Sequence, residues 1–473
     1  MKIIISNIIK IEDPTDKIKD YCKEKLTLKN PDYSKKVQMG FWTGGTSKHI
    51  RLYDYDDKNI YLPIGCFNDL YDLYPDSSLY SDFSVSKPRN ILSSINLRNY
   101  QKPCLNALKT YVNGLFVLPC GLGKTECALQ TIYHLQQKAL FITHTKDLLN
   151  QAKDRCEEKM TCTTSVISDG KVDTSGDITF ATVQTLFQKL DGIPQDEFGL
   201  IVVDECHHLS TNADSVCMFR ECIDHFAARY KLGLTATLHR ADGLQYCIPK
   251  LLGDVIYEVM QDGDDYIGVY EGKEILRFPI NEFQVPAAIN VIETNYRLYD
   301  NVNNCYRDVF EKNGMTLSFS KLISDIGNDK ERNKLIIDLC KKLDGSTIIL
   351  SDRVEQLKYL NKYINDSVEI DGSTKKNIRE QAIEDIKNGK KKVLLASYKL
   401  AKEGLDCKIL ENIILATPIK DEAIVIQCIG RVQRTYPGKT VARVFDLLDD
   451  VSMLSKFFTK RRAIYKKKGW WKE

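Results

Sequence analysis

Short apolar runs separated by helix-length amphipathic stretches occur in two series along the chain. The first lies between about Leu97 and Tyr257 and contains GLFVL (114–118), ALFIT (139–143), DITFAT (177–182), LIVVDE (200–205) and KLGLTAT (231–237). The second contains STIILSD (346–352), SVEID (367–371), KVLLAS (392–397), NIILAT (412–417) and VARVFD (441–446). A continuous apolar run of this length is a strand covered on both faces, and strands alternating with helices make βαβ units and a parallel sheet. The pattern predicts two α/β domains, over 91–262 and 336–455, joined by an irregular segment, 263–335. Residues 1–90 differ. They hold turn clusters (NPDY from Asn30, TGGTS from Thr43) and short alternating runs (IRLYDY, NIYLPI), which predict a small sheet in an accessory domain. SVSKPRN (84–90) reads as a linker, and 456–473 as a basic aromatic tail.

Composition narrows the class only a little. Of 473 residues, 43% are hydrophobic and 28% charged, as in ordinary globular chains, and the length suits two or three domains. The net charge of +3 excludes a global basic field, so any polyanion site is local. No run of eighteen apolar residues predicts a membrane helix, and MKIIISNIIK reads as a strand rather than a leader. The 15 cysteines form no C-x-x-C pair; Cys247, Cys340 and Cys428 lie in apolar runs and read as free core thiols of a reducing cytoplasm.

Four motifs carry chemistry. PCGLGKT (119–125) follows a predicted strand and opens a predicted helix, the context that a phosphate-binding loop requires. Gly121 and Gly123 admit positive φ and close backbone approach to phosphate. Lys124 reaches the β- and γ-phosphates, and the Thr125 hydroxyl and Asp204 hold Mg²⁺. The usual first glycine of such a loop is Leu118 here. In LIVVDECHH, Asp204 and Glu205 sit at a strand's C-terminal end, where ligands bind in open α/β sheets; Glu205 is the candidate base for water. His207 is read as a coupling residue and His208 as surface. In KLGLTATLHRADG, Thr235 and Thr237 can carry a coupling bond, though TAT alone is a common turn. Gln427, Gly430, Arg431 and Arg434 in QCIGRVQR have one-face helical spacing, which fits either an anion site or a solvated basic face. The same two readings apply to Phe41 and Trp42 beside Lys35, Lys36, Lys48 and Arg51: a nucleic-acid surface, or the core of a small domain.

In this order, the motifs resemble those of superfamily 2 helicases of the XPB-type branch, in which the first P-loop glycine is also absent. DECH, LGLTATLHRADG (Leu238 replacing a proline), LRNYQ (97–101), ITHTKDLLNQ (142–151), FATVQTL (180–186), IILSDRVEQL, DGSTKKNIRE, LASYKLAKEGLDC and QCIGRVQR are similar to successive family motifs over about 97–450. The N-terminal region and RRAIYKKKGW are similar to phage branch-migration helicases of the UvsW type. The resemblance implies two tandem RecA-like parallel-sheet domains and a small N-terminal accessory domain. It implies ATP with Mg²⁺ as cofactors and Gln101 on adenine. Arg431 and Arg434, with Gln427, serve the γ-phosphate. Thr145, Lys146, Thr182, Gln184, Ser373, Thr374 and Ser397 serve nucleic-acid phosphates. The expected partner is single-stranded, forked or four-way-junction DNA, moved 3′ to 5′ by a monomer in the cytoplasm, of a host if the chain is viral. An RNA helicase, an ATP-switched sensor and a restriction-system motor are the alternatives.

Overall fold

Each apolar run of the two series is a strand in the computed structural model, which describes all residues except 76–78, 84, 85, 87, 209–212, 239–242, 301–304, 308–318, 404, 406, 472 and 473. The described chain divides into two units: Met1–Met260 with Ile267–Arg277, and Gln261–Tyr266 with Phe278–Glu473.

In the first unit a ten-stranded sheet runs in the order Lys171–Val172, Thr164–Ser168, Ile178–Thr182, Ala139–Thr143, Leu200–Val203, Tyr230–Thr235, Asn113–Val117 and Val255–Asp262, extended by Asp265–Tyr270 and Lys273–Pro279. From Thr164–Ser168 to Val255–Asp262 neighbouring strands are parallel. Ala139–Thr143 and Leu200–Val203 are buried throughout, which is why they are apolar without alternation. Their C-terminal ends therefore open on one edge, with the motif residues on the loops beyond.

The N-terminal region forms a five-stranded sheet, and Ile3, Ile5, Ile9 and Ile11 on its inner face are buried. Its core continues into the first parallel unit, because Leu244 and Cys247 belong to the same cluster. The polar contacts are as close. Lys231, fully buried on the central strand Tyr230–Thr235, donates from Nζ to the Asn7 carbonyl at 2.7 Å. Arg220 pairs with both Asp224 and Asp54. Gly65 lies so close to the helix Cys247–Leu252 that a Cβ would stand 2.0 Å from the Pro249 carbonyl oxygen. Residues 1–90 thus share a core with the P-loop unit, and removing them would expose Lys231, Leu244 and Cys247.

The second unit holds a six-stranded sheet in the order Ala287–Glu293, Ala442–Leu448, Leu410–Leu415, Ser346–Ser351, Val393–Ser397 and Ser367–Ile370, parallel throughout. Two expectations change here. Ala287–Glu293 lies inside the segment read as irregular. It is an edge strand with one buried residue, so its polar positions hide the apolar signature. The basic tail is the helix Ser452–Lys467, with Phe458, Arg461, Ile464 and Tyr465 buried. Arg461 donates from Nε and Nη2 to the two Asp446 oxygens at 2.8 Å each, and Tyr465 bonds to the same carboxylate at 2.8 Å. Arg332 pairs in the same way with buried Asp449. Among the described residues no helix is long and apolar enough to cross a membrane.

Burial depresses the Lys231 ammonium to about 8, partly offset by Asp224. The folded chain then holds fewer protons than the unfolded one between that value and 10.5, so the group adds stability as pH rises through this window and loses it as pH falls through about 8. The denaturant midpoint of the wild type should therefore gain on that of Lys231→Met as pH rises from 8 towards 10. A difference that stays flat with pH would sink this assignment.

Candidate nucleotide site

The loop after the strand Asn113–Val117 is built by two glycines in the left-handed region, Gly121 (φ +87°) and Gly123 (φ +76°). Gly123 caps the helix Lys124–Leu135, whose free N–H groups and dipole favour an anion at that end. Nothing lies within 4 Å of a Cβ built on Gly121, so the loop is open beside that residue. On its other side Gln101, only 5% exposed, donates from Nε2 to the carbonyls of Leu122 (2.9 Å) and Gly123 (3.3 Å) and accepts from Arg98 N–H (2.9 Å). The residue read in the sequence as an adenine contact is here a brace for the loop, its amide engaged at both ends.

Asp204 and Glu205 follow the strand Leu200–Val203. Glu205 is a non-glycine at φ +47°, a conformation that costs on the order of 1–3 kcal/mol and concentrates at functional sites. The turn brings Glu205 Oε1 to 3.6 Å from Lys124 Nζ. It also leaves Glu205 Oε2 at 3.3 Å from His207 Nδ1. His207 Nδ1 lies 3.0 Å from Thr235 Oγ1, and Thr235 donates to the Thr237 carbonyl at 2.7 Å. A chain of contacts thus runs from the P-loop lysine through the acidic turn to the strand end carrying TAT. His208's side chain and residues 239–242 of TLHRADG lie outside the described residues.

Burial, then the charge of Glu205, push the Asp204 carboxyl up to about 7, against the pull of Lys124. Two carboxylates facing one ammonium call for another cation. Mg²⁺ would fit that need, and Asp204 and the Thr125 hydroxyl are the residues that would hold it. Among the described residues no group of three or more His, Cys, Asp or Glu could hold a metal. Mg²⁺ would therefore share its shell with nucleotide phosphates, its usual habit.

The expected nucleic-acid residues also lie at strand ends. Thr143 and Thr182 are paired neighbours on parallel strands, which brings Thr145, Lys146, Thr182 and Gln184 to one edge. Thr145 caps the helix Lys146–Lys159, Lys146 pairs with Asp169, and Gln184 donates to the His144 carbonyl. Thr182 departs from expectation: it is buried, and its hydroxyl bonds to Thr185, which withdraws it from a phosphate. In the second unit Ser373 and Thr374 both donate to Asp371 Oδ1, and Ser397 Oγ accepts from Leu400 N–H.

The face expected in QCIGRVQR is also revised. The helix is Glu422–Val432, so it holds Gln427, Gly430 and Arg431 and stops short of Arg434. Arg434 pairs through its backbone with Gln284, and Lys439 Nζ bonds to its carbonyl at 3.0 Å. Arg431 donates to the Lys402 and Leu405 carbonyls at 2.9 and 3.2 Å, and Gln427 is buried. Sequence reasoning missed Lys439. Its only signal is a lysine after the Pro437-Gly438 turn, which looks like solvent.

Two family models match the chain: "Type III restriction enzyme, res subunit" over 94–240 and "Helicase conserved C-terminal domain" over 331–436. The chain is similar to the probable helicase D10 of Escherichia phage T5, 24% identical over 478 residues, covering 99% of this chain and 95% of that protein. It is similar to the DNA 3′-5′ translocase XPB2 of Sulfurisphaera tokodaii, 25% identical over 73% of this chain and 80% of that one. It is also similar to the ATP-dependent DNA helicase uvsW of Enterobacteria phage T4, 24% identical over 92% of this chain and 87% of that one.

Because Gln101 is a buried donor to two loop carbonyls, Gln101→Glu should cost about 1–3 kcal/mol although its shape hardly changes. A lowered thermal midpoint, with nucleotide affinity reduced about tenfold, is the expected result. An unchanged midpoint would mean that the brace has no structural weight.

Proposed function

The chain belongs to the superfamily 2 helicases, enzymes that use ATP, and on that premise we propose that it is a DNA translocase that moves 3′ to 5′ and remodels forked or branched DNA. The observation that carries this reading is the contact chain from Lys124 through Glu205 and His207 to Thr235. It gives the strand end a way to sense whether the base and the phosphates are in place. The DNA names of two relatives, one a 3′-5′ translocase, support the choice of polymer and direction.

In the proposed cycle Gly121, Gly123 and the N-terminal turn of the helix from Lys124 hold the phosphates, while Lys124 neutralises the transferred one. Mg²⁺, held by Asp204 and Thr125, would draw charge from the β- and γ-phosphates. Glu205 takes the proton of the attacking water, and hydrolysis proceeds by positioning and charge rather than by a covalent intermediate. Arg434 would serve the γ-phosphate. Arg431, committed to two backbone carbonyls, holds its helix against the end of the helix Tyr398–Glu403 and against Leu405. Thr145, Lys146, Gln184, Ser373, Thr374 and Ser397 grip phosphates without reading sequence, as a motor that steps along any strand requires.

Glu205→Gln should bind ATP and almost abolish nucleic-acid-stimulated turnover, while Lys124→Ala loses binding itself. Steady-state hydrolysis with single-stranded DNA, forks, four-way junctions and RNA, together with unwinding of duplexes tailed at either end, checks the reading. Turnover by Glu205→Gln at the wild-type rate would remove it as the base, and stimulation by RNA alone would overturn the choice of DNA.

Arg434→Ala should keep ATP affinity and lose about a thousandfold in turnover, the range in which such an arginine acts. Normal hydrolysis by this variant would return Arg434 to a purely structural part in the turn it shares with Lys439.

A further inference from the structure

Between Pro31 and His49 no residue is buried, yet the segment is apolar at its tip. Val37 is 54% exposed, Met39 64%, Phe41 63% and Trp42 82%, the largest value among the exposed large hydrophobics of the described residues. The excursion is also ordered at its base. It leaves and re-enters through a two-stranded ribbon, Thr27–Lys29 with His49–Arg51. Buried Asn30 caps the helix Pro31–Gln38 through Asp32 N–H, and its side-chain amide donates to the Ser47 carbonyl at 2.8 Å. Phe41 N–H donates to the Lys36 carbonyl at 2.8 Å, and Lys36 Nζ to Thr46 Oγ1 at 2.6 Å. The Trp42 ring lies against Gly44: a Cβ there would stand 1.9 Å from Cζ2. The ring is thus backed on one side by glycine and bare on the other.

Charge gives the occupant. Residues 31–51 carry Lys35, Lys36, Lys48 and Arg51 against the single carboxylate of Asp32, a net of +3, as large as that of the whole chain. Among the described residues none of these four cations is ion-paired. Cores of protein–protein interfaces are depleted of charge, and two copies of this face would oppose like charges, so neither fits. Interleaved rings and cations are what an unpaired strand needs, with bases on the rings and phosphates on the ammonium groups.

We propose that Phe41 and Trp42 form a stacking platform for unpaired nucleotides, flanked by Lys35, Lys36, Lys48 and Arg51 as phosphate contacts. The proposal deepens the reading of the chain as a nucleic-acid motor and rests on it. The platform lies outside the strand-end residues that grip phosphates, so it selects where unpaired and paired segments meet rather than driving the steps.

The test uses the full chain, because residues 1–90 share a core with the P-loop unit. The ligands are a fork with unpaired thymidine arms, a blunt duplex of equal length, and an RNA fork. Phe41→Ala/Trp42→Ala should lose about a hundredfold in affinity for the DNA fork, about tenfold for each ring, at one fixed salt concentration. Its thermal midpoint and nucleic-acid-free hydrolysis should be unchanged, since nothing there is buried. Trp42→Phe should regain most of the loss, and binding should quench the Trp42 component of the fluorescence. Lys35→Gln/Lys48→Gln should flatten the salt dependence of affinity, and the aromatic variants should leave that slope alone. Equal fork affinity in wild type and the double alanine variant would overturn the platform while leaving the motor intact. So would light scattering in which the wild type self-associates and the variant does not. An RNA fork bound as tightly as the DNA fork would keep the platform and overturn only the choice of DNA. A wild type that neither binds nor is stimulated by any of the ligands would overturn both.

Discussion

Asp204 and Glu205 face the single ammonium of Lys124, and that imbalance organises the site. Two carboxylates against one cation are stable only with a proton or with further positive charge. The raised Asp204 carboxyl is the mark of the first state, and a divalent cation would supply the second. The fold brings the three groups together by topology: the strands Leu200–Val203 and Asn113–Val117 both flank Tyr230–Thr235 in parallel, so the loops beyond them open on the same edge. The left-handed turn at Glu205 then gives its two oxygens different neighbours, Lys124 for one and His207 for the other.

From that turn a short line of contacts leaves the phosphate end. His207 joins Thr235, and Thr235 folds back on Thr237, so a line of contacts links Glu205 to the end of a central strand. The loop is held from behind as well. Gln101 supports the carbonyls of Leu122 and Gly123. The second unit makes its strand-end loops by the same means, with Asp371 gathering Ser373 and Thr374 into one turn.

Composition misleads about which charges matter. RRAIYKKKGW reads as a basic tail, but Arg461 and Tyr465 close over Asp446 in the interior. Lys231 and Lys439 are buried cations, each held by backbone carbonyls. The excursion 31–51 keeps its rings and cations outside. Burial separates these cases, and burial depends on partners distant in sequence: Asn7 for Lys231, Asp446 for Arg461. No local pattern contains them.

The sequence by itself determined the two parallel sheets, because strands covered on both faces must be apolar throughout and their helices must space them. It also determined the chemistry of the loops. Glycines at 121 and 123, a lysine and threonine opening a helix, and acids at a strand's end follow from local conformation and charge. Tertiary structure alone decided the rest. It made Ala287–Glu293 a sheet edge, since an edge strand shows only half its burial in its residues. It ended the helix before Arg434, because the backbone there pairs with Gln284. It turned Gln101 towards the loop, buried the Thr182 hydroxyl, and joined residues 1–90 to the P-loop unit through Lys231. Apart from the local Thr182–Thr185 bond, each of these is a contact between separate segments of the chain, and such contacts exist only once the sheets have closed.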